Sequence, residues 1–336
     1  MNPTFLRSRR QTKLTEAAAA IRAATRIVLA CHLRPDADAL GSLLGLGAGL
    51  RRLGKAVTLV SPDGVPEMYR FLPGWEQIVP GAVGDWELGI GLDADGSDRL
   101  GSAESLILAQ PRVINLDHHT GPDPYGDIQV VDSSIAATGE LVYLLLQELE
   151  IAPDAEIAAC LMAAVLTDTG CFRFSNTTAE TFRIAAALRE AGATPGAVYD
   201  AVYGRRSFGA TLLLGRLLTQ VSRTEDGRVV WSWVGRADFE ACGATGEATE
   251  GFVDQLRIVE GAEVAVFFRE ATHGDVRVSL RSRGRVNVAQ VAAEFGGGGH
   301  VPAAGCTVEE ALPSAMNRVI DAVRRALPDA AALAQP

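Results

Sequence analysis

The chain has 336 residues, 48% of them hydrophobic and 21% charged, and its formal net charge is −10. At about 150 residues per domain, this length predicts roughly two globular domains. The composition excludes wholesale disorder, a collagen-like repeat and a coiled-coil rod. The acidic balance excludes a protein that coats polyanions through a basic surface, so nucleic acid is expected only in a local site or with metal ions supplying positive charge.

The cysteines and the apolar stretches indicate a cytoplasmic protein without a membrane anchor. The five cysteines are scattered and lack CxxC spacing, which is typical of reduced thiols and not of a disulfide framework or a zinc site. Uncharged apolar stretches such as Ala39–Leu50 are shorter than the roughly 20 residues that a membrane span needs. Charged residues interrupt the N-terminal segment, so we expect no signal peptide.

Strand-like and helix-like runs alternate in the first half of the chain. The predicted strands are Arg26–Cys31, Ala56–Val60, Leu88–Asp93 and Arg112–Asp117. The predicted helices are Ala39–Leu53, Glu140–Leu149, Ala155–Leu166 and Thr178–Ala191. This alternation predicts a doubly wound, mainly parallel α/β sheet, whose ligand sites lie at the carboxyl ends of the strands.

The second half begins with a helical connector over 194–225 that shows no strand pattern. A second, smaller α/β domain is expected over 226–330, after a first domain over 1–193. Its predicted strands are Val229–Val234, Glu263–Arg269 and Asp275–Arg281. A helix over Asn287–Phe295, a glycine loop over Gly296–Gly299 and a last helix from about Glu309 to Ala326 complete it.

Polar side chains follow two of the predicted strands of the first domain. His32, Asp36 and Asp38 lie on a turn that opens a helix, where an imidazole and two carboxylates can converge on a cation. An ordinary loop with Asp38 as helix N-cap is the alternative. Asp93 ends the run LGIGLD and would place its carboxylate in the crevice of the sheet, although Asp and Gly also form turns.

Two further groups extend this pattern. Asp117, His118 and His119 end the run RVINLD. Adjacent residues of an extended segment point to opposite sides, so one histidine can bind metal while the other faces substrate, and Asp117 can hold an imidazole. Asp168 closes an apolar helix, where a carboxylate is costly to bury unless it is paired with a cation. The alternatives are a solvated polar loop and a helix end in solvent.

Taken together, two histidines and four aspartates lie at the ends of elements that a doubly wound sheet brings together. Nitrogen and carboxylate ligands without thiolate favour Mn²⁺ or Mg²⁺, with Zn²⁺ or Fe²⁺ also suited. The ligands suffice for two ions that share one carboxylate. Two ions about 3.5–4 Å apart suit in-line attack on phosphorus, because they generate a hydroxide and neutralise developing charge.

A glycine-rich segment in the second domain provides a candidate anion site. Four glycines precede His300, and they let backbone N–H groups approach an anion closely while the imidazole adds a donor. A flexible linker is the alternative, although the small apolar residues that follow are not a typical spacer. Arg281 and Ser282 end a predicted strand, and a guanidinium is suited to phosphate.

Five motifs in this order resemble the DHH/DHHA1 phosphoesterase superfamily, and most closely its nanoRNase/pAp phosphatase (NrnA-type) family. They are HLRPDADALGS, LDADGSDRLG, NLDHHTG, TDTGCFRF and LRS…NVAQVAAEFGGGGHVPAAG, and the resemblance extends from about Ile27 to Ala326. It implies a DHH catalytic domain followed by a DHHA1 substrate-binding domain, with the active site in the cleft between them.

The resemblance also implies a role for each candidate residue. The ligands that it assigns to one Mn²⁺ ion are His32, Asp36 and Asp93. The ligands that it assigns to a second are Asp38, Asp93, His118 and Asp168, so that Asp93 bridges the two ions. His119 would contact the scissile phosphate, which makes it a catalytic residue together with Asp93. The residues expected to bind the nucleotide are Arg281, Ser282, Gly297, Gly298, Gly299 and His300, and Arg99 is a further candidate phosphate contact.

The expected activity is hydrolysis of short single-stranded oligoribonucleotides to 5′-mononucleotides and of pAp to AMP, by a cytoplasmic homodimer that uses two Mn²⁺ or other divalent ions. A soluble cyclic-di-AMP/pApA phosphodiesterase with the same site is the alternative. The GGGGH loop disfavours a manganese-dependent inorganic pyrophosphatase, and RecJ-type exonucleases are usually longer. The complete ligand set disfavours a non-catalytic nucleotide-binding module.

Overall fold

The computed structural model describes residues 3–119, 125–249, 251–271 and 274–328, with side chains described from residue 8 onward except at Glu247. The end of the NLDHHTG motif at Thr120 and Gly121, and the chain after Pro328, lie outside the described residues. Two compact units comprise Met1–Arg205 and Arg206–Pro336, so the division falls inside the segment interpreted as a connector. Among the described residues, no helix combines the length and the apolar character needed to cross a bilayer.

The first unit is built on a six-stranded sheet in which every neighbouring pair is parallel. Its strands are β1 (Arg26–Cys31), β2 (Ala56–Val60), β3 (Ile78–Val79), β4 (Leu88–Leu92), β5 (Val113–Asp117) and β6 (Ile128–Val131). The strand order β3-β2-β1-β4-β5-β6 reverses direction between β1 and β4. Ligand crevices form at such a switch point, outside the carboxyl ends of the strands. The doubly wound α/β fold predicted from the sequence is therefore confirmed.

The helices of the first unit are α1 (Pro3–Ala23), α2 (Ala37–Arg52), α3 (Glu104–Leu108), α4 (Thr138–Glu148), α5 (Ala155–Asp168), α6 (Ala179–Glu190) and α7 (Pro195–Val202), with short 3₁₀ turns at 67–69, 75–77 and 97–103. Helices α2 and α5 pack closely because α2 presents glycines to α5. A Cβ atom at Gly41 would collide with the carbonyl oxygen of Cys160, and one at Gly45 would collide with Leu161. This contact holds the first turn of α2 beside the last turn of α5.

The second unit contains a mixed sheet with helices on both faces. Its strands are β7 (Ser222–Arg223), β8 (Val229–Val234), β9 (Val264–Glu270), β10 (Val276–Ser282), β11 (Gly298–His300) and β12 (Ala303–Val308), in the order β11-β12-β10-β9-β8-β7. Only β8 and β9 pair in parallel. The helices are α8 (Phe208–Thr219), α9 (Arg236–Cys242), α10 (Phe252–Arg257), α11 (Val288–Ala293) and α12 (Leu312–Ala326), with a 3₁₀ turn at 246–249.

Three details of the second half differ from the sequence predictions. The segment 194–225 is not strand-free, because Ser222–Arg223 forms β7 and pairs with β8. Its helix is also interrupted, since Ser207 accepts a hydrogen bond from the backbone N–H of Ala210 and starts α8 anew. The last helix begins at Leu312 and not near Glu309, because the preceding residues 303–308 belong to strand β12.

The predicted glycine loop over Gly296–Gly299 is only partly a loop. Gly298 and Gly299 belong to β11, which pairs antiparallel with β12. A Cβ atom at Gly297 would collide with the carbonyl oxygen of Gly305, and one at Gly299 would crowd that of Ala303. The glycines therefore permit a close approach between two backbones, which periodicity alone does not reveal.

Candidate metal centre

The candidate metal residues come together at the carboxyl ends of adjacent parallel strands of the first unit. His32 follows β1, Asp93 follows β4, and His118 follows β5. Asp36 is the N-cap of α2, Asp38 lies in its first turn, and the last residue of α5 is Asp168. Three groups of three residues place one ligand atom each within 4.8 Å of one another: His32, Asp36 and Asp93; Asp38, His118 and Asp168; and Asp93, His118 and His119.

His32 and two carboxylates form the first group. The Nε2 atom of His32 lies 3.4 Å from Asp93 Oδ2 and 3.8 Å from Asp36 Oδ1. Its Nδ1 atom lies 2.8 Å from the carbonyl oxygen of Leu33, which can only accept a hydrogen bond. Nδ1 therefore carries the proton of the neutral ring, and the Nε2 lone pair points toward the carboxylates. Backbone hydrogen bonds to the second ring nitrogen orient metal-binding histidines in this way.

His118 is the centre of the second group. Its Nε2 atom lies 3.1 Å from Asp168 Oδ2, 3.6 Å from Asp93 Oδ1 and 3.7 Å from Asp38 Oδ2. Although it is buried and surrounded by carboxylate oxygens, Nε2 has no hydrogen-bond partner of acceptable geometry among the described residues. A buried nitrogen without a partner costs about 1–3 kcal/mol. A cation bound by these oxygens and by Nε2 would satisfy it.

The carboxylate of Asp93 lies between the two groups. Its Oδ2 atom faces His32, whereas Oδ1 faces His118 and accepts a hydrogen bond of 2.8 Å from Thr138 Oγ1. Asp93 is 3% exposed and adopts a left-handed backbone conformation with φ of 58°. This conformation costs of order 1 kcal/mol or more for a residue with a Cβ atom, and such strain is concentrated at functional sites. The geometry allows one carboxylate to serve two cations.

Asp38 is fully buried and is held by the start of helix α4. The backbone N–H groups of Thr138 and Gly139 donate to its two oxygens at 2.7 and 2.8 Å, and Ser42 Oγ donates at 3.1 Å. The alternative interpretation of Asp38 as the N-cap of α2 is wrong. Asp36 is the N-cap, because its extended backbone lets its side chain accept from the N–H groups of Asp38 and Ala39.

The prediction that the two adjacent histidines point to opposite sides is wrong. Their ring centroids are 4.2 Å apart, and both rings approach Asp93 Oδ1, at 3.6 Å from His118 Nε2 and 3.6 Å from His119 Nδ1. The expectation failed because strand β5 ends at Asp117, so the alternation of an extended strand does not apply to the histidines. Asp117 Oδ1 lies 2.8 Å from His119 Nδ1 and leaves Nε2 of this half-exposed ring free of that contact.

The electrostatics of the cluster favour a bound cation. Burial, reinforced by the negative charges of Asp93 and Asp168, raises the pKa of Asp38 well above its usual value. Burial alone would lower the pKa values of His32 and His118. The neighbouring carboxylates have the larger effect and raise the pKa of each histidine to about 10. The buried carboxylates thus draw protons when no other cation is available. Hard oxygen donors and imidazoles without thiolate fit Mn²⁺ or Mg²⁺, and also Zn²⁺ or Fe²⁺.

The residues expected to bind the nucleotide differ in how far their side chains are exposed to solvent. Arg281 is part-exposed on β10, and His300 is exposed on β11. Ser282 is 3% exposed and donates its hydroxyl to the carbonyl oxygen of Val286 at 2.7 Å. Arg99 is 42% exposed, and its Nε atom lies 3.8 Å from Asp95 Oδ1.

Sequence reasoning missed the residues that hold the carboxylates. Thr138 is the main example, since its backbone N–H binds Asp38 and its hydroxyl binds Asp93. A Thr-Gly pair ahead of a predicted helix is a weak N-terminal pattern, and nothing in it indicates contact with residues 100 and 45 positions away.

The chain matches two family models and several named relatives over most of its length. The model of the DHH family N-terminal domain matches residues 26–165, and that of the DHHA1 domain matches residues 228–328. A Thermus thermophilus protein named bifunctional oligoribonuclease and PAP phosphatase NrnA is 38% identical over 90% of both chains. A Bacillus subtilis protein of the same name is 29% identical over 84% of this chain and 89% of the relative.

Solved structures share the fold. A Bacteroides fragilis exopolyphosphatase-related protein superposes with a TM-score of 0.85 at 26% identity, covering 94% of this chain and 96% of that one. An exonuclease RecJ bound to manganese gives a TM-score of 0.55 at 20% identity, covering 94% and 95% of the two chains. The chain therefore belongs to the DHH/DHHA1 phosphoesterase superfamily, and within it to the oligoribonuclease and PAP phosphatase (NrnA-type) family.

Proposed function

We propose that this chain is a metal-dependent phosphoesterase that hydrolyses short oligoribonucleotides to 5′-mononucleotides and dephosphorylates pAp to AMP. The names of the Thermus and Bacillus relatives state both activities for those proteins, and the resemblance of the motifs supports them here. The observation that carries the proposal is the buried Asp93 carboxylate, whose two oxygens face two separate groups of ligands.

The ligand sets that we propose for two divalent ions follow these groups. The first set is His32, Asp36 and Asp93, and the second is Asp38, Asp93, His118 and Asp168. We propose Mn²⁺ as the resident ion because of the mixed imidazole and carboxylate donors. Two such ions, when bound, would supply an activated water at neutral pH and neutralise charge on the phosphate.

The chain's own residues then position the substrate. His119 is proposed to donate, as an imidazolium, from Nε2 to a non-bridging oxygen of the scissile phosphate, because Asp117 accepts from Nδ1 and raises the pKa of the ring. A hydrogen bond that strengthens as charge develops on that oxygen accelerates the reaction. Thr138 and Ser42 keep the carboxylates in place by their hydrogen bonds.

The second unit is proposed to bind the part of the nucleotide that does not react. Arg281 offers a charged donor, and His300 with the glycines Gly297, Gly298 and Gly299 offers an imidazole and backbone N–H groups. Ser282 would act indirectly, since its hydroxyl holds the backbone that follows Arg281. Arg99 is proposed as a phosphate contact from the first unit.

We also propose a cytoplasmic homodimer. The cytoplasmic location is supported by the cysteines, all of which are free thiols, four of them buried. The homodimer is supported by the family resemblance. Sedimentation of the full chain at micromolar concentration tests it, since a single species of monomer mass would contradict the proposal.

A turnover panel with Mn²⁺ tests the proposed activity. Its substrates are pAp, a 5′-phosphorylated dinucleotide, a 24-mer RNA, cyclic di-AMP and pyrophosphate. Fast release of mononucleotide from the dinucleotide and of phosphate from pAp, with slow cleavage of the 24-mer, is the expected result. Preference for cyclic di-AMP would replace it with second-messenger turnover, and cleavage of pyrophosphate alone would contradict it.

Two variants control this panel. Asp93→Asn removes the charge of the shared ligand and is expected to abolish turnover of every substrate. Asp85→Asn makes the same change at a carboxylate that is 90% exposed and is expected to leave turnover unchanged. Turnover by Asp93→Asn at the wild-type rate would contradict the shared-ligand role.

A further inference from the structure

One face of the second sheet is covered by helices over only part of its width. Helices α8 and α10 cover β8 and β9 through a cluster that includes Leu217, Val230, Phe252, Ala265 and Phe267. Beyond β9, the same face borders an open cavity of 730 Å³. The polar side chains that line it are Thr249, Arg269, Arg277, Ser279, Arg281 and Thr307. We call this cavity the arginine groove.

The strand geometry explains why these side chains share a face. Along β10, Val276, Val278 and Leu280 are buried against α11 and α12, so the alternate residues Arg277, Ser279 and Arg281 point the other way. Arg277 is the direct antiparallel partner of Arg269 on β9, and of Thr307 on β12.

Within the described chain, no carboxylate pairs with the two central arginines of the groove, Arg269 and Arg277. Arg269 and Arg277 stand directly opposite each other, and like charges in this position destabilise a sheet. Arg269 donates to the carbonyl oxygen of Gly246 at 2.5 Å, whereas Arg277 has neither a hydrogen bond nor an ion pair with any described residue. The carboxylate nearest to Arg281 is that of Asp254, whose Oδ1 atom is 4.0 Å from Nε.

Burial and the positive charge of Arg277 lower the pKa of the Arg269 guanidinium, in keeping with this repulsion. A chain with a net charge of −10 thus keeps two adjacent arginines in this groove without a carboxylate partner. An anionic ligand would relieve the repulsion.

The shape and chemistry of the groove indicate a ligand with several phosphates. Guanidinium groups bind phosphate through paired hydrogen bonds, and the hydroxyls of Ser279 and Thr307 offer further donors. Arg277 and Arg281 are four residue steps apart along β10, which is about 13 Å at roughly 3.3 Å per residue. One phosphate cannot span that distance, whereas the backbone of an oligonucleotide can. The volume lies within the range of about 300–1,000 Å³ that is usual for ligand sites.

We propose that the arginine groove binds the sugar-phosphate backbone of a short oligonucleotide, and that Arg269 and Arg277 form a phosphate subsite distinct from Arg281. That the bound oligonucleotide is a substrate rests on the proposed function, but the binding of the oligonucleotide to the groove does not. Because the groove offers no exposed aromatic side chain among its lining residues, it recognises the backbone and not the bases.

Fluorescence anisotropy with a cleavage-resistant phosphorothioate pentaribonucleotide tests this proposal on the full chain. Arg277→Gln is expected to weaken binding 5- to 10-fold and to reduce the slope of log affinity against log salt by about 0.7, the value for one phosphate contact on a single strand. Arg277→Lys keeps the charge and is expected to restore most of the affinity. Because Arg277 is exposed, both variants are expected to stay folded, and a circular dichroism melt of each variant checks this.

Arg324→Gln is the matched control, because α12 packs against the opposite face of the sheet and Arg324 is 52% exposed there. Equal affinities of Arg277→Gln and Arg324→Gln for the pentaribonucleotide would overturn the proposal. The arginines would then be ordinary solvent-exposed side chains on this face of the sheet. An equal loss of affinity for 5′-AMP and for the pentamer would also overturn it, in favour of a single-phosphate site. A loss specific to the pentamer supports the groove even if the turnover panel shows no hydrolysis, so the two proposals fail separately.

Discussion

Thr138 offers the sharpest test of how the chain builds its metal centre. Its hydroxyl donates a 2.8 Å hydrogen bond to Asp93 Oδ1, while its backbone N–H binds Asp38. Thr138→Val removes the hydroxyl, keeps the volume and the N–H, and leaves Asp93 in its left-handed conformation without that anchor. A hydrogen bond to a charged group contributes about 1.5–3 kcal/mol, and about 1.4 kcal/mol corresponds to tenfold in an equilibrium constant.

We therefore expect Mn²⁺ to bind Thr138→Val about 10- to 100-fold more weakly, the range usual for loss of a partner that orients a ligand. Titration calorimetry measures this affinity, and Thr138→Ser, which keeps the hydroxyl, should bind nearly as the parent does. Thr224→Val is the control, since Thr224 Oγ1 also donates to a carboxylate, that of Asp226 in the second unit. Unchanged Mn²⁺ affinity in Thr138→Val would refute the reasoning.

Three further predictions follow from the same geometry. His119→Gln should lower kcat about 10²- to 10³-fold with little change in Mn²⁺ affinity, because we assign the ring to substrate and not to metal. Equal losses of kcat and of Mn²⁺ affinity would instead make His119 a metal ligand. Gly41→Ala should destabilise the first unit by about 1–3 kcal/mol in a denaturant titration, because its Cβ atom would collide with the backbone of α5. Gly81→Ala is the control and should not destabilise it, because Gly81 has open space around it. Equal stabilities of the two variants would refute the packing argument. In the metal-free protein, the folded-state pKa values of His32 and His118 are raised from 6.5 to about 10, so their stabilising effect is complete below pH 6.5 and is lost as the pH rises to about 10. The melting temperature of metal-free protein should fall across that interval, and a rise would contradict the assigned shifts.

The parallel sheet of the first unit was predictable from four short apolar strands, whereas strand β6 and helix α1 were not predicted. All four predicted strands form, and the switch between β1 and β4 places His32 beside Asp93. The two-residue strand β3 was not predictable, since two residues carry no periodicity.

The site was predictable as a set of residues but not in its local geometry. Aspartate and histidine at strand ends indicate ligands, yet the side-by-side rings of His118 and His119 depend on where β5 stops. Likewise, the role of Thr138 depends on packing between distant segments, which a single sequence does not encode in any local pattern. In the second unit, the register that sets Arg277 against Arg269 required the sheet itself.

The central claim is that one carboxylate, that of Asp93, serves two metal ions. Equilibrium dialysis against Mn²⁺ followed by elemental analysis measures the number of ions per chain. We expect two ions for the parent protein and Asp85→Asn, and near-complete loss of both for Asp93→Asn, because the Oδ2 atom of Asp93 faces His32 while its Oδ1 atom faces His118. One ion per chain in the parent, or two retained in Asp93→Asn, would contradict it.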